Sequence, residues 1–192
     1  EGQARRVLPG EIAPARPPDD CDKRGNPAHR ADRIRERHVV KPLKLGHLVL
    51  SVRDCVRSRD FYTQRLGMKV SSEKLERGQV FLTIGDEHHV LALFQRATLD
   101  PPTPDQPGIR HIAFQLDDFD QLQSAYDELT AAGVAVENVS EDGITRSFYL
   151  RDPDNNCIEL FCNRVDNGLE AIRTADLSAQ PLDMAAAGAR QH

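Results

Sequence analysis

The sequence predicts an α+β fold made of two tandem βαβββ modules that form a curved mixed sheet around a common cavity. Three observations predict it. The order strand, helix, strand, strand, strand occurs twice. The first strands "GHLVLSVRD" and "RHIAFQLDD" align with each other, as do the last strands "HHVLALFQ" and "NNCIELFC". A polar, Pro-rich linker from about Arg96 to Pro107 separates the copies. One module alone leaves a face of its sheet uncovered, so two must share a core, and the paired face is the natural place for a site.

Taken in order, "LKLGHLVLSV" is an apolar strand, and "DCVRSRDFYTQRLG" opens on an Asp cap and closes on a Gly stop suited to a helix. "MKVSSEKL", "GQVFLTIG" and "HHVLALFQ" are three short strands punctuated by Gly and charged turns. The second module begins with "IRHIAFQLD". Its helix "DFDQLQSAYDELTAAG" places Phe119, Leu122, Tyr126 and Leu129 on one face, with Gly133 as the stop. "VAVENVS", "ITRSFYLR", a "DPDNN" turn and "CIELFC" complete it. The modules therefore run over residues 43–96 and 109–163, within a domain of residues 43–163.

Residues 1–42 mix Arg, Asp, Pro and Ala, and all Phe and Tyr residues lie between Phe61 and Phe161. A segment of that composition buries too little apolar surface to offset the entropy of ordering it, so it reads as a mobile or partner-dependent arm. Residues 164–192 read as a C-terminal tail. The net charge of −5, with basic and acidic residues interleaved in the arm, excludes a nucleic-acid footprint. No apolar run is long enough to span a membrane, and the chain reads as soluble and cytosolic. Cys21, Cys55, Cys157 and Cys162 form no CxxC pair. Cys157 and Cys162 are oddly spaced on one strand and point to opposite faces, which disfavours a disulfide between them.

The chemistry starts from Glu159, a carboxylate between Ile158 and Leu160 in an apolar strand. A buried charge is costly unless paired or coordinated. His47 and His111 occupy equivalent positions in the first strand of each module, in register with each other. Two imidazoles and a carboxylate converging on one cavity form the facial set of non-haem Fe(II) oxygenases, and also the His₂Glu set of catalytic zinc sites. Glu159 superposes on Ala92, so the first module supplies no fourth ligand, and an octahedral ion would keep about three positions free.

On these residues the sequence resembles the vicinal oxygen chelate superfamily, and within it the type I extradiol catechol dioxygenases. The resemblance covers Leu43 to Asn163. His47, His111 and Glu159 are separated by 64 and 48 residues, similar to the order and spacing of the metal ligands in those enzymes. Tyr149 stands ten residues before Glu159, as in their signature. "EHHVLALF" is similar to the stretch that carries their acid–base histidine. The motif points to His89, whereas strict alternation from Ala92 points to His88. A further histidine of the larger extradiol enzymes, upstream of the tyrosine, has no counterpart in "NVSEDG".

The resemblance implies an Fe(II)-dependent ring-cleavage dioxygenase in which a catechol chelates the metal and O₂ is co-substrate. His89 would exchange a proton and Tyr149 would donate a hydrogen bond to substrate. Mn(II) and Zn(II) suit the same donors. A fosfomycin-type thiol transferase, a glyoxalase-like enzyme and a metal-free binding or resistance module are the alternatives. The modules can pair within one chain or exchange between two copies as a homo-oligomer.

Overall fold

The computed structural model describes residues 42–96, 100 and 107–184. The chain divides into residues 1–43 and 44–192, and every element below lies in the second unit. The N-terminal arm, Cys21 and most of the linker fall outside the described residues.

The elements follow the repeat. The first module contains β1 (Leu48–Val52), α1 (Cys55–Leu66), β2 (Lys69–Lys74), β3 (Gln79–Thr83) and β4 (Leu91–Gln95). The second contains β5 (Ile112–Gln115), α2 (Phe119–Ala131), β6 (Val136–Glu141), β7 (Thr145–Arg151) and β8 (Cys157–Asn163). The strands form two sheets, ordered β1-β4-β3-β2 and β5-β8-β7-β6, and the second sheet gains one further strand described below. In each module the first strand runs parallel to the last, and the remaining neighbours are antiparallel. The repeat extends to irregularities: the ladder slips between Val70 and Ser72 in β2, and between Val136 and Asn138 in β6.

Both helices start where capping chemistry dictates. The Asp54 carboxylate accepts from the backbone N–H of Val56 and Arg57, and that of Asp118 accepts from Gln121. Gly67 ends α1 at φ 67°, a left-handed conformation that costs glycine little. Alternation along the strands sends Leu50, Val52, Val80, Leu82, Leu91 and Leu93 under α1, where Tyr62 is fully buried with them. In the second module Phe148, Leu150, Ile158 and Leu160 are buried with Leu122 and Leu129 of α2. The free cysteines Cys55 and Cys162 are buried and Cys157 is half-buried.

The "DPDNN" turn does more than reverse the chain. Asp152 and Asp154 are both 5% exposed. Asp152 Oδ1 accepts from the backbone of Asp154 and Asn156, while its Oδ2 accepts from the Tyr62 hydroxyl at 2.8 Å. Burial, followed by Asp152, pushes the Tyr62 phenol far up, so it stays protonated and donates. Asp154 accepts from the Ser58 hydroxyl at 3.0 Å and the Arg53 N–H at 3.1 Å, and the Arg57 guanidinium lies 3.4 Å away. The β7–β8 turn of one module is thus tied to the start of α1 in the other. Asp154→Ala removes the acceptor from a buried hydroxyl and a backbone N–H, and is expected to lower the unfolding free energy by about 1–3 kcal/mol, read from the urea midpoint.

The segment read from sequence as a C-terminal tail is structured as far as residue 184. It carries the short helix α3 (Gly168–Ala171) and the strand β9 (Gln180–Pro181), which pairs with β6 as the fifth strand of the second sheet. Met184 is 4% exposed. The segment approaches so closely at Gly143 that a Cβ there would lie 2.6 Å from the Asp176 carbonyl oxygen, which is why the position is glycine. Among the described residues no helix is long and apolar enough to cross a membrane.

Candidate functional site

Register builds the site. In the second sheet Ala113 lies opposite Glu159 on one side, and Tyr149 lies opposite it on the other. Side chains directly across a ladder share a face, and His111, two positions before Ala113, belongs to the same face. Three side chains therefore meet. His111 Nε2 lies 3.0 Å from Glu159 Oε2, and the Tyr149 hydroxyl donates to Glu159 Oε1 at 2.7 Å. The His111 and Tyr149 rings meet edge to face, centroids 5.8 Å apart. Glu159 is 9% exposed, whereas the His111 side chain is 35% exposed and opens the group to solvent.

The carboxylate in the apolar strand is thus held by two partners. Desolvation, followed by the hydrogen bond and charge of Glu159, raises the Tyr149 phenol above its usual range, while the Ser147 hydroxyl 3.5 Å away opposes the rise. The phenol keeps its proton near neutral pH and acts as a donor.

The first sheet repeats this register with different residues. Ala92 stands where Glu159 stands, Phe81 where Tyr149 stands, and Val49 where Ala113 stands. His47, two positions before Val49, is exposed and packs against other histidines. Its ring centroid is 4.4 Å from that of His89 and 6.4 Å from that of His88. His88 and His89 both precede β4, lie in the turn that leads into it, and have their Nδ1 atoms 2.5 Å apart. His89 is the half-buried one, 5.2 Å from the Phe81 ring, while His88 is exposed. Burial first, then His47 and His88, push the His89 imidazole below its ordinary pKa. The geometry thus sets His89 against the apolar wall of Phe81 and leaves His88 outside it.

The candidate residues accordingly fall into two groups: His47, His88 and His89 on the first sheet, and His111, Tyr149 and Glu159 on the second. Among the described residues no hydrogen bond, ion pair or ring contact joins the groups, and no three His, Cys, Asp or Glu side chains are placed to hold a metal ion. The donor chemistry of the second group does suit a divalent cation. An imidazole nitrogen and a carboxylate oxygen face each other, open to solvent on the histidine side, and tyrosine holds the other carboxylate oxygen.

Sequence reasoning singled out these six side chains as candidates but missed the Tyr62–Asp152 and Ser58–Asp154 bonds that fix how the modules meet. Their signal was present in "DPDNN", whose two carboxylates exceed what a simple turn needs.

Comparison with known proteins gives consistent relatives. The model of the Glyoxalase/Bleomycin resistance protein/Dioxygenase superfamily matches residues 44–160. Biphenyl-2,3-diol 1,2-dioxygenase 2 of Rhodococcus globerulus is 34% identical over 125 residues, which are 65% of this chain and 63% of that protein. The chain thus spans under two thirds of that relative's length. Glutathione transferase FosA of Serratia marcescens is 32% identical over 67% of this chain and 87% of its own. A crystal structure of a glyoxalase/dioxygenase from Nostoc punctiforme, 26% identical, superposes with a TM-score of 0.55 over 66% of this chain and 97% of that one.

Proposed function

Because the chain belongs to the glyoxalase/bleomycin resistance protein/dioxygenase superfamily, we propose that it is an Fe(II)-dependent extradiol-type dioxygenase that opens a catecholic ring with O₂. The observation that carries this reading is the buried Glu159 carboxylate, held between the Tyr149 hydroxyl and the His111 imidazole in adjoining register positions. The similarity to an enzyme named for a vicinal aromatic diol supports the substrate class. His111, Glu159 and His47 would hold the ion, which supplies Lewis acidity and a path for electrons when bound.

The remaining steps belong to the chain's own side chains. Tyr149, kept protonated by burial and by Glu159, can turn its hydroxyl from the carboxylate to a substrate oxygen beside it. His89, held neutral by burial and neighbouring imidazoles, can accept and return a proton. Phe81, in edge-to-face contact with Phe94, gives His89 an apolar surface that excludes water and suits an aromatic ring.

The test is oxygen consumption by protein loaded with Fe(II) under anaerobic conditions and then offered a panel of catechols that includes a biphenyl diol. Uptake with formation of a yellow ring-cleavage product is expected, and no uptake with any catechol removes the reading. His89→Gln is expected to keep its iron and lower turnover by about 10² to 10⁴-fold. Loss of iron from that variant would make His89 a ligand rather than an acid–base group.

One observation favours a second reading. The chain spans 87% of the glutathione transferase FosA but only 63% of the diol dioxygenase. A metal-dependent thiol transferase would consume glutathione with fosfomycin and take up no oxygen, so the same preparation separates the two.

A further inference from the structure

We propose that Asn138 is a specificity-determining residue of the candidate site, hydrogen-bonding a neutral carbonyl or hydroxyl substituent on the edge of the catecholic ring remote from its diol. The inference rests on the ring-cleavage reading above. It deepens that reading by naming what the substrate carries besides the diol.

The irregularity in β6 sets where Asn138 points. Val136 lies opposite Leu150 and Asn138 opposite Tyr149, so Glu137 is the extra residue of a bulge. Val136 and Val139 both pack against the core, although regular alternation would send residues three apart to opposite faces. The bulge absorbs the difference and turns two consecutive polar residues, Glu137 and Asn138, away from the core. Bulges often re-aim side chains in this way beside functional sites. Glu137 is already used, its carboxylate accepting from the Arg151 guanidinium at 2.9 Å. Asn138 is exposed, and its carboxamide makes no hydrogen bond among the described residues.

One row of side chains results. Ala113, Glu159, Tyr149 and Asn138 are successive ladder partners across β5, β8, β7 and β6, and they share the face to which His111 belongs. Asn138 stands two strands from Glu159, roughly 10 Å across the sheet. A diol chelated beside Glu159 extends its ring past Tyr149, and the edge remote from the diol is the part that reaches Asn138. β9 pairs with β6 only at Ser140 and Glu141, which leaves this end of the row open. The charges beside Asn138 belong to Glu137 and Arg151, which neutralise each other, so selection here works by hydrogen bonding rather than by charge. A carboxamide both donates and accepts, which suits a neutral carbonyl or hydroxyl. The same row in the first sheet reads Val49, Ala92, Phe81 and Ser72, and holds neither a carboxylate nor a carboxamide. The repeat thus concentrates the polar groups of this row on one sheet.

The experiment compares two catechols of similar size, one with an acetyl and one with an isopropyl group on the remote edge. Full-length wild type and Asn138→Ala, loaded with Fe(II) under anaerobic conditions and matched by iron content, are titrated with each by calorimetry. Oxygen uptake then gives kcat/KM for the same pairs. The acetyl group also acidifies the diol, but equally for both proteins, so the ratio of the two affinities isolates the side chain. Wild type is expected to favour the acetyl catechol, and Asn138→Ala to lower that ratio by about 3- to 10-fold, the worth of one hydrogen bond. An unchanged ratio with oxygen uptake intact overturns the role of Asn138 and leaves the ring-cleavage reading standing. Binding of both catechols without oxygen uptake removes the ring-cleavage reading, and the ratio still decides whether Asn138 selects. Binding of neither removes the reading and the inference together.

Discussion

Glu159→Gln is expected to leave the metal-free protein as stable as the parent or more so, while abolishing its stabilisation by metal. The carboxylate is 9% exposed, and taking a charge out of water costs several kcal/mol unless its partners compensate fully. Here they are one phenol and one partly exposed imidazole. Glutamine keeps the shape and an oxygen that accepts from Tyr149, and it removes the charge, so the fold loses little. A divalent ion loses an anionic donor that a neutral amide replaces poorly. Thermal unfolding with and without Fe(II) under anaerobic conditions separates these effects. Wild type at a hundredfold excess over its dissociation constant should gain about 2.7 kcal/mol. The glutamine variant should gain almost nothing. A variant that melts far below the parent without metal would assign Glu159 a structural role, and one that gains as much from metal would remove it from the ligand set.

The sequence made the modules legible because a duplicated unit states its pattern twice. The alignment that equated Ala92 with Glu159 reappears as equivalent ladder pairs, Val49 with Ala92 and Ala113 with Glu159, and even the slips in β2 and β6 match. Tyr149 was legible for the same reason. Ten residues of hairpin bring it directly across from Glu159. What the sequence left open was the relation between the modules, because hydrogen bonds such as Tyr62 to Asp152 join residues 90 apart and leave no periodic trace. The choice between His88 and His89 as the candidate acid–base residue was open because both lie before β4, outside the alternation that would have sorted them. The strand β9 was overlooked because a strand of two residues, one of them a proline, carries no strand signal.

Ala92→Glu should produce the opposite balance to Glu159→Gln: a protein much less stable without metal, with higher metal affinity and little oxygenase activity. Ala92 is 1% exposed and faces Phe81, which has no hydroxyl to give, where Glu159 has Tyr149. A carboxylate introduced there meets no hydrogen-bond donor across the ladder, so the metal-free protein should lose roughly 3 kcal/mol or more. The repeat also sets the new group relative to His47 as Glu159 is set relative to His111, which adds an anionic oxygen beside an imidazole donor. Fe(II) should therefore recover much of the lost stability. A fourth protein donor would then occupy a position that a chelating diol requires, and oxygen uptake should collapse. Urea unfolding with and without Fe(II), paired with oxygen consumption, measures both effects. If stability, metal affinity and turnover all match the parent, Ala92 does not share a face with the metal centre, and the register equivalence that assigns His47 as a ligand is wrong.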